Sequence, residues 1–158
     1  MKEKIKILFI CHGNICRSPM AQYVMQDLVN KAGLSKHFII DSAATSTEEI
    51  GNGVHYGTRQ KLREVGVPCG DHRAVQITKK DYNIYDYLIV MDSNNLRTLK
   101  RIIPNDPDAK VSMLLDYANR QGQSIADPWY TGNFDATYRD VLEGCQGLLE
   151  YLRDRGMV

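Results

Sequence analysis

Ile5-Lys6-Ile7-Leu8-Phe9-Ile10-Cys11-His12-Gly13-Asn14-Ile15-Cys16-Arg17-Ser18-Pro19 is the stretch whose reading decides the fold. Residues 4–10 are a compact apolar run bounded by a glycine-containing turn, which predicts a buried strand of a parallel sheet. Ser18-Pro19 reads as an N-cap followed by proline at the first helical position. Ala21, Val24, Met25, Leu28, Val29 and Ala32 then recur at helical spacing, and Gly33 supplies a stop. Strand, short turn and helix make one unit.

The same alternation continues outward from it. His37 to Ala43 reads as a second strand, residues 44–55 as a polar loop, and Tyr56 to Val65 as a helix stopped by Gly66. Asp86 to Met91 predicts another buried strand, Asn94 to Ile102 a helix ending before Pro104, and Lys110 to Leu115 a fourth strand. A last helix carries Tyr138, Val141, Leu142, Cys145, Leu148, Leu149 and Leu152 on one face. Strands alternating with helices predict a four-stranded parallel sheet with helices on both faces, a flavodoxin-like three-layer α/β/α architecture. With no repeat, low-complexity tract or linker, residues 1–158 are expected to form one domain. Such sheets bind ligands at the carboxyl ends of their strands, where the turn at residues 11–18 lies.

Composition narrows the function. The net charge is +1 with no block of like charges, so no nucleic-acid partner is expected. The apolar run Ile7 to Ile10 is too short for a signal-peptide core, and no stretch is long enough to span a bilayer. A cytoplasmic location without membrane insertion is the expectation. There, Cys11, Cys16, Cys69 and Cys145 are expected to be free thiols, and they lack the paired spacing of a zinc site.

The turn itself carries chemistry. Phosphoryl transfer to a cysteine needs a thiolate, amide donors aimed at phosphate oxygens and a fixed positive charge. Gly13 permits a tight bend, and a loop leading into a helix N-terminus aims successive N–H groups inward as an anion nest. Arg17 offers a planar fork matched to two phosphate oxygens. Cys11 falls at the strand end, at the base of that cradle. A helix terminus alone stabilises a thiolate only modestly, so the amides, Arg17 and the Ser18 hydroxyl must contribute together. Far downstream, Ala126-Asp127-Pro128-Trp129-Tyr130 offers a carboxylate able to protonate a departing phenolate. By itself an Asp-Pro pair is more often a turn former.

At these residues the chain resembles the low-molecular-weight protein tyrosine phosphatases. The resemblance runs through Cys11 to Pro19, Asp41 to Ser46, His72, Gln76-Ile77-Thr78, Met91-Asp92, Asn95-Leu96-Arg97 and Asp127-Pro128. It implies hydrolysis of phosphotyrosine in protein partners through a phosphocysteine, with no cofactor and no metal, by a monomer or weak homodimer. Cys11 is implied as nucleophile, Arg17 as transition-state clamp and Asp127 as acid and then base. His12, Gly13, Asn14, Ile15, Cys16 and Ser18 belong to the substrate-binding loop, with Trp129 and Tyr130 as an aromatic wall. Asn14, Ser42 and His72 match a network that holds the loop, Ser18 a hydroxyl on the thiolate, and Asp92 a supporting carboxylate. Cys16 matches a second loop cysteine able to capture oxidised Cys11 as a disulfide.

The chain also departs from the pattern. Glu48 stands where the family usually has an aromatic residue at the pocket rim, and His12 where it often has an apolar one. The arginine-phosphatase branch is marked by threonine at the position held here by Ile15, which favours the tyrosine reading. Arsenate reduction on this fold needs a further cysteine pair, whereas Cys69 and Cys145 are isolated. A phosphate carrier or phosphoprotein-binding module would have no use for Asp127.

Overall fold

The computed structural model describes residues 4–158. Its sheet is built from β1 (Ile5–Cys11), β2 (Phe38–Ala44), β3 (Tyr87–Val90) and β4 (Val111–Met113), in the order β2-β1-β3-β4. All three pairings are parallel, with Phe9 opposite Ser42 on one side and Ile89 on the other. Between and beyond the strands run α1 (Arg17–Lys31), α2 (Tyr56–Glu64), α3 (Asp81–Ile84), α4 (Ser93–Ile102), α5 (Pro128–Thr131) and α6 (Phe134–Asp154).

The period of two along β1 sorts its side chains into two cores. Ile7 and Phe9 pack among Val24 and Met25 of α1, Leu62 of α2, and Val141, Cys145 and Leu148 of α6. Leu8 and Ile10 pack on the opposite face with Leu88, Val90, Met113 and Leu99 of α4. Three layers result, as the alternation of strands and helices implies. The chain moves from β1 to β2 on one side and then to β3 on the other. The carboxyl end of β1 therefore lies at the switch point, where an open α/β sheet leaves a crevice.

Several boundaries differ from the sequence reading. Helix α1 begins at Arg17, and its N-cap is Cys16 with no side-chain cap bond. Ser18 does not cap it because its hydroxyl is engaged by Cys11 and Asn14. The fourth strand ends at Met113, and Leu114–Ala118 coil into a 3₁₀ turn whose carbonyl of Tyr117 lies against α6. Helices α3 and α5 are single turns, too short for any periodicity to show. Among the described residues, no helix is long and apolar enough to cross a membrane.

Candidate active site

The loop after β1 is held open by its carbonyls. Cys11 O accepts from Thr45 N–H and His12 O from both Ser46 N–H and Ser46 Oγ–H. Ile15 O accepts from His55 N–H at 2.8 Å, and Cys16 O from Thr58 Oγ1–H at 3.1 Å. These bonds commit the loop carbonyls to the segment after β2 and to the start of α2, which leaves the loop amides to other partners. One of them, Asn14 N–H, donates to Cys11 Sγ at 3.3 Å.

Asn14 sits at φ 59, in the left-handed region that asparagine tolerates better than other side-chain-bearing residues. The cost is of order 1–2 kcal/mol and is offset by a side chain bonded at both ends. His72 Nε2 lies 2.7 Å from Asn14 Oδ1, Asn14 Nδ2–H donates to Ser18 Oγ at 2.7 Å, and Ser18 Oγ lies 3.0 Å from Cys11 Sγ. Ser18 Oγ, while accepting from Asn14, keeps its own hydrogen available to the sulfur. Asn14 N–H and the Ser18 hydroxyl thus both meet the Cys11 sulfur. Behind the chain, Ser42 Oγ–H donates to Gln22 Oε1 and lies 3.2 Å from His72 Nε2, while Tyr23 Oη accepts from His72 N–H. Burial lowers the His72 pKa below its ordinary 6.5, with Asp41 opposing the shift, so the ring is neutral and donates through Nε2.

Arg17 is buried, its side chain only 3% exposed. Its Nη1–H donates to Asp92 Oδ2 at 2.6 Å and to Ile125 O at 2.8 Å, and Nη2 lies 3.4 Å from Asp127 Oδ2. Burial works against the charged guanidinium, but Cys11 and Asp92 outweigh it and push the pKa above its ordinary value. Asp92 is held in turn by capping α4, where its Oδ1 accepts from Asn95 N–H. Asp127 caps α5, its Oδ1 accepting from Trp129 N–H at 3.0 Å.

These groups surround a cavity of about 110 Å³ lined by Cys11, His12, Gly13, Ile15, Cys16, Arg17, Glu48, Glu49, Asp127, Trp129 and Tyr130. Trp129 and Tyr130 are largely exposed beside it. The half-exposed His12 ring pairs with the exposed Glu48 carboxylate at 2.9 Å, both at the lining of the cavity. The side chains of Asn14, Ser18, Ser42 and His72 lie behind the loop, outside the cavity lining. Cys16 lines the cavity beside Cys11, and burial, helped by Cys11 and Asp127, pushes its thiol up to about 12. Among the described residues, no three His, Cys, Asp or Glu side chains converge as a metal site would require.

Sequence reasoning missed Glu49 in the lining, Gln22 and Tyr23 behind the loop, and His55 and Thr58 at the start of α2. Gln22 follows Ser18 by four residues, so helical spacing puts the two on one face of α1, whereas Tyr23 lies about 100° further round and carried no such signal. His55, immediately before a helix, was open to reading as a cap.

The family model for low molecular weight phosphotyrosine protein phosphatase matches residues 6–157. The chain belongs to that family. The low molecular weight protein-tyrosine-phosphatase YfkJ of Bacillus subtilis is 38% identical over 146 residues, covering 92% of this chain and 94% of the relative. Its crystal structure superposes with a TM-score of 0.92 at 36% identity, covering 97% of each chain. A Drosophila arginine phosphatase in the same phosphatase fold superposes with a TM-score of 0.85 at 30% identity, covering 93% of this chain and 97% of that one.

Proposed function

We propose that this protein hydrolyses phosphotyrosine in proteins through a phosphocysteine formed on Cys11. The observation that carries the reading is the single cavity in which Cys11 Sγ, with hydrogen-bond donors aimed at it, faces Arg17 and Asp127. The phosphate enters the ring of loop amides, and Arg17, fixed through Nη1 by Asp92 and Ile125, presents its Nη2 edge to the phosphate oxygens. Cys11 sulfur attacks phosphorus, the bond from phosphorus to the phenolic oxygen breaks, and that oxygen takes a proton from Asp127. Water then attacks phosphorus and gives its proton to Asp127. The bond from sulfur to phosphorus breaks, releasing phosphate and the thiolate.

Trp129 and Tyr130 supply an apolar wall for a tyrosine ring, and Ile15 adds a branched apolar surface to the lining. The Drosophila neighbour motivates a second reading, hydrolysis of phosphoarginine. Phosphate release from matched phosphotyrosine and phosphoarginine peptides separates the two. Faster release from phosphotyrosine, abolished in Cys11→Ser, is the expected result. Preference for phosphoarginine would move the protein to the second reading, and no release from either would leave a phosphate-binding module. Asp127→Ala should slow substrates with poor leaving groups by about 10²-fold or more.

A further inference from the structure

His55 stands where three parts of the site meet. Its backbone N–H donates to Ile15 O, which fastens it to the nucleophile loop. Its ring meets Trp129 edge-on, with centroids 5.5 Å apart, and stacks on Phe134 at 5.5 Å with an interplanar angle of 16°. Nδ1 accepts from Gly57 N–H at 3.0 Å, which sets the ring plane and leaves the proton of the neutral ring on Nε2. Glycine at 57 leaves the space that Phe134 occupies, since a Cβ there would lie 2.2 Å from the phenyl ring.

The other side of Trp129 is the acid. Trp129 N–H donates to Asp127 Oδ1, so the indole and the carboxylate belong to one short helical turn. That turn has little core of its own: Pro128 is buried, but Trp129 is 58% and Tyr130 83% exposed. Thr137 Oγ1–H holds Ala126 O, and Ile125 N–H holds Met91 O, both on the N-terminal side of Asp127. Beyond the acid, the buried Pro128 and the contact of Trp129 with the His55 ring hold α5. Capping α2 does not require an imidazole, because asparagine supplies an equivalent acceptor.

We propose that His55 is a positioning residue for Asp127: its ring, wedged between Phe134 and Trp129, fixes the acid helix relative to the nucleophile loop. The proposal rests on Asp127 being the general acid. Its test is kcat/KM for a series of aryl phosphates whose phenols range from weakly to strongly acidic. Kcat/KM reports the step in which the phenol departs, and weakly acidic phenols depend most on Asp127. His55→Asn keeps the cap acceptor and removes the ring, whereas His55→Phe keeps a ring and removes the acceptor.

His55→Asn should lose about 10-fold on phenyl phosphate and less than about twofold on para-nitrophenyl phosphate, because a small misplacement of the acid costs most where the proton matters most. His55→Phe should keep the wild-type slope. In the Asp127→Ala background, His55→Asn should steepen nothing further. An equal loss on every substrate would mean a merely structural role and would overturn the proposal, as would an equal change of slope in His55→Phe. An unchanged slope in Asp127→Ala alone would instead remove the acid assignment, and the proposal with it.

Discussion

Glu48 and His12 sit face to face at the mouth of the cavity, and only a protonated imidazole would neutralise that carboxylate. Together with Glu49 they make the rim hostile to acidic neighbours of a phosphotyrosine. An exposed charge of this kind contributes roughly 0.5–1 kcal/mol, or about two- to fivefold in rate, and salt screens it. Peptides with Lys or Arg beside the phosphotyrosine should therefore show two- to fivefold higher kcat/KM than their Asp or Glu counterparts at low salt. Glu48→Gln should narrow that ratio, and an unchanged ratio would clear Glu48 of the effect. Cys16 leads to a second expectation. Burial, helped by Cys11 and Asp127, pushes its thiol up to about 12, so capture of a Cys11 sulfenic acid by Cys16 would require that proton to be lost in the step. Condensation of the two would then expel water and form a disulfide. Peroxide should inhibit the wild type reversibly, with recovery in dithiothreitol, and Cys16→Ser irreversibly. Mass spectrometry showing no Cys11–Cys16 crosslink in the oxidised wild type would end that account.

At the level of elements, the loop and its supports behave as one. His72 is neutral in the folded protein and has its pKa depressed by burial, whereas the unfolded chain titrates near the ordinary 6.5. The unfolded state therefore binds the proton more readily, and the stability associated with neutral His72 is complete above pH 6.5 and lost as pH falls below it. Thermal melts of wild type and His72→Asn should converge on acidification below that point. A gap that stays constant with pH would show that His72 does not titrate in this window. Helix α6 makes a different demand, for space. A Cβ on Gly147 would lie 2.0 Å from Tyr117 O, a backbone atom that cannot rotate away. Gly147→Ala gains about 1 kcal/mol of helix propensity but incurs overpacking of roughly 1–3 kcal/mol or more against a rigid carbonyl. The melting temperature should fall, and a rise would mean that the 3₁₀ turn yields. Elements of this kind divide by legibility. Strand β1 and helix α6 announced themselves through apolar runs and helical spacing. The one-turn α5 did not, because four residues show no period. Ser18 was misread as a cap because its hydroxyl has a non-local claimant, the Cys11 sulfur, that no local pattern reveals.

Across the whole molecule, the loop residues were legible because they are contiguous, and a cysteine followed by glycine, arginine and serine at a strand end suggests its own chemistry. Of their supports, Asp127 was legible as a carboxylate before a turn-forming proline, Asp92 and His72 only through resemblance, and Ile125 only in the structure. Asp92, Ile125, Asp127 and His72 reach the loop from distant segments, and nothing local ties them to it. His55 and Gln22, which the resemblance did not mark, carried only local signals of a cap and of a helix face, and the structure supplied their partners. The long reach of Arg17 has a kinetic consequence. Its partners lie 75, 108 and 110 residues away along the chain, on segments that meet only when every crossover has closed. Loops of that length are closed late and slowly when a parallel sheet assembles. A chain diluted from denaturant should therefore regain helical circular dichroism well before it regains turnover, with enzymatic competence appearing in the final phase. Turnover recovering together with the earliest helical signal would mean that a partly assembled sheet already brings Arg17 to its distant partners.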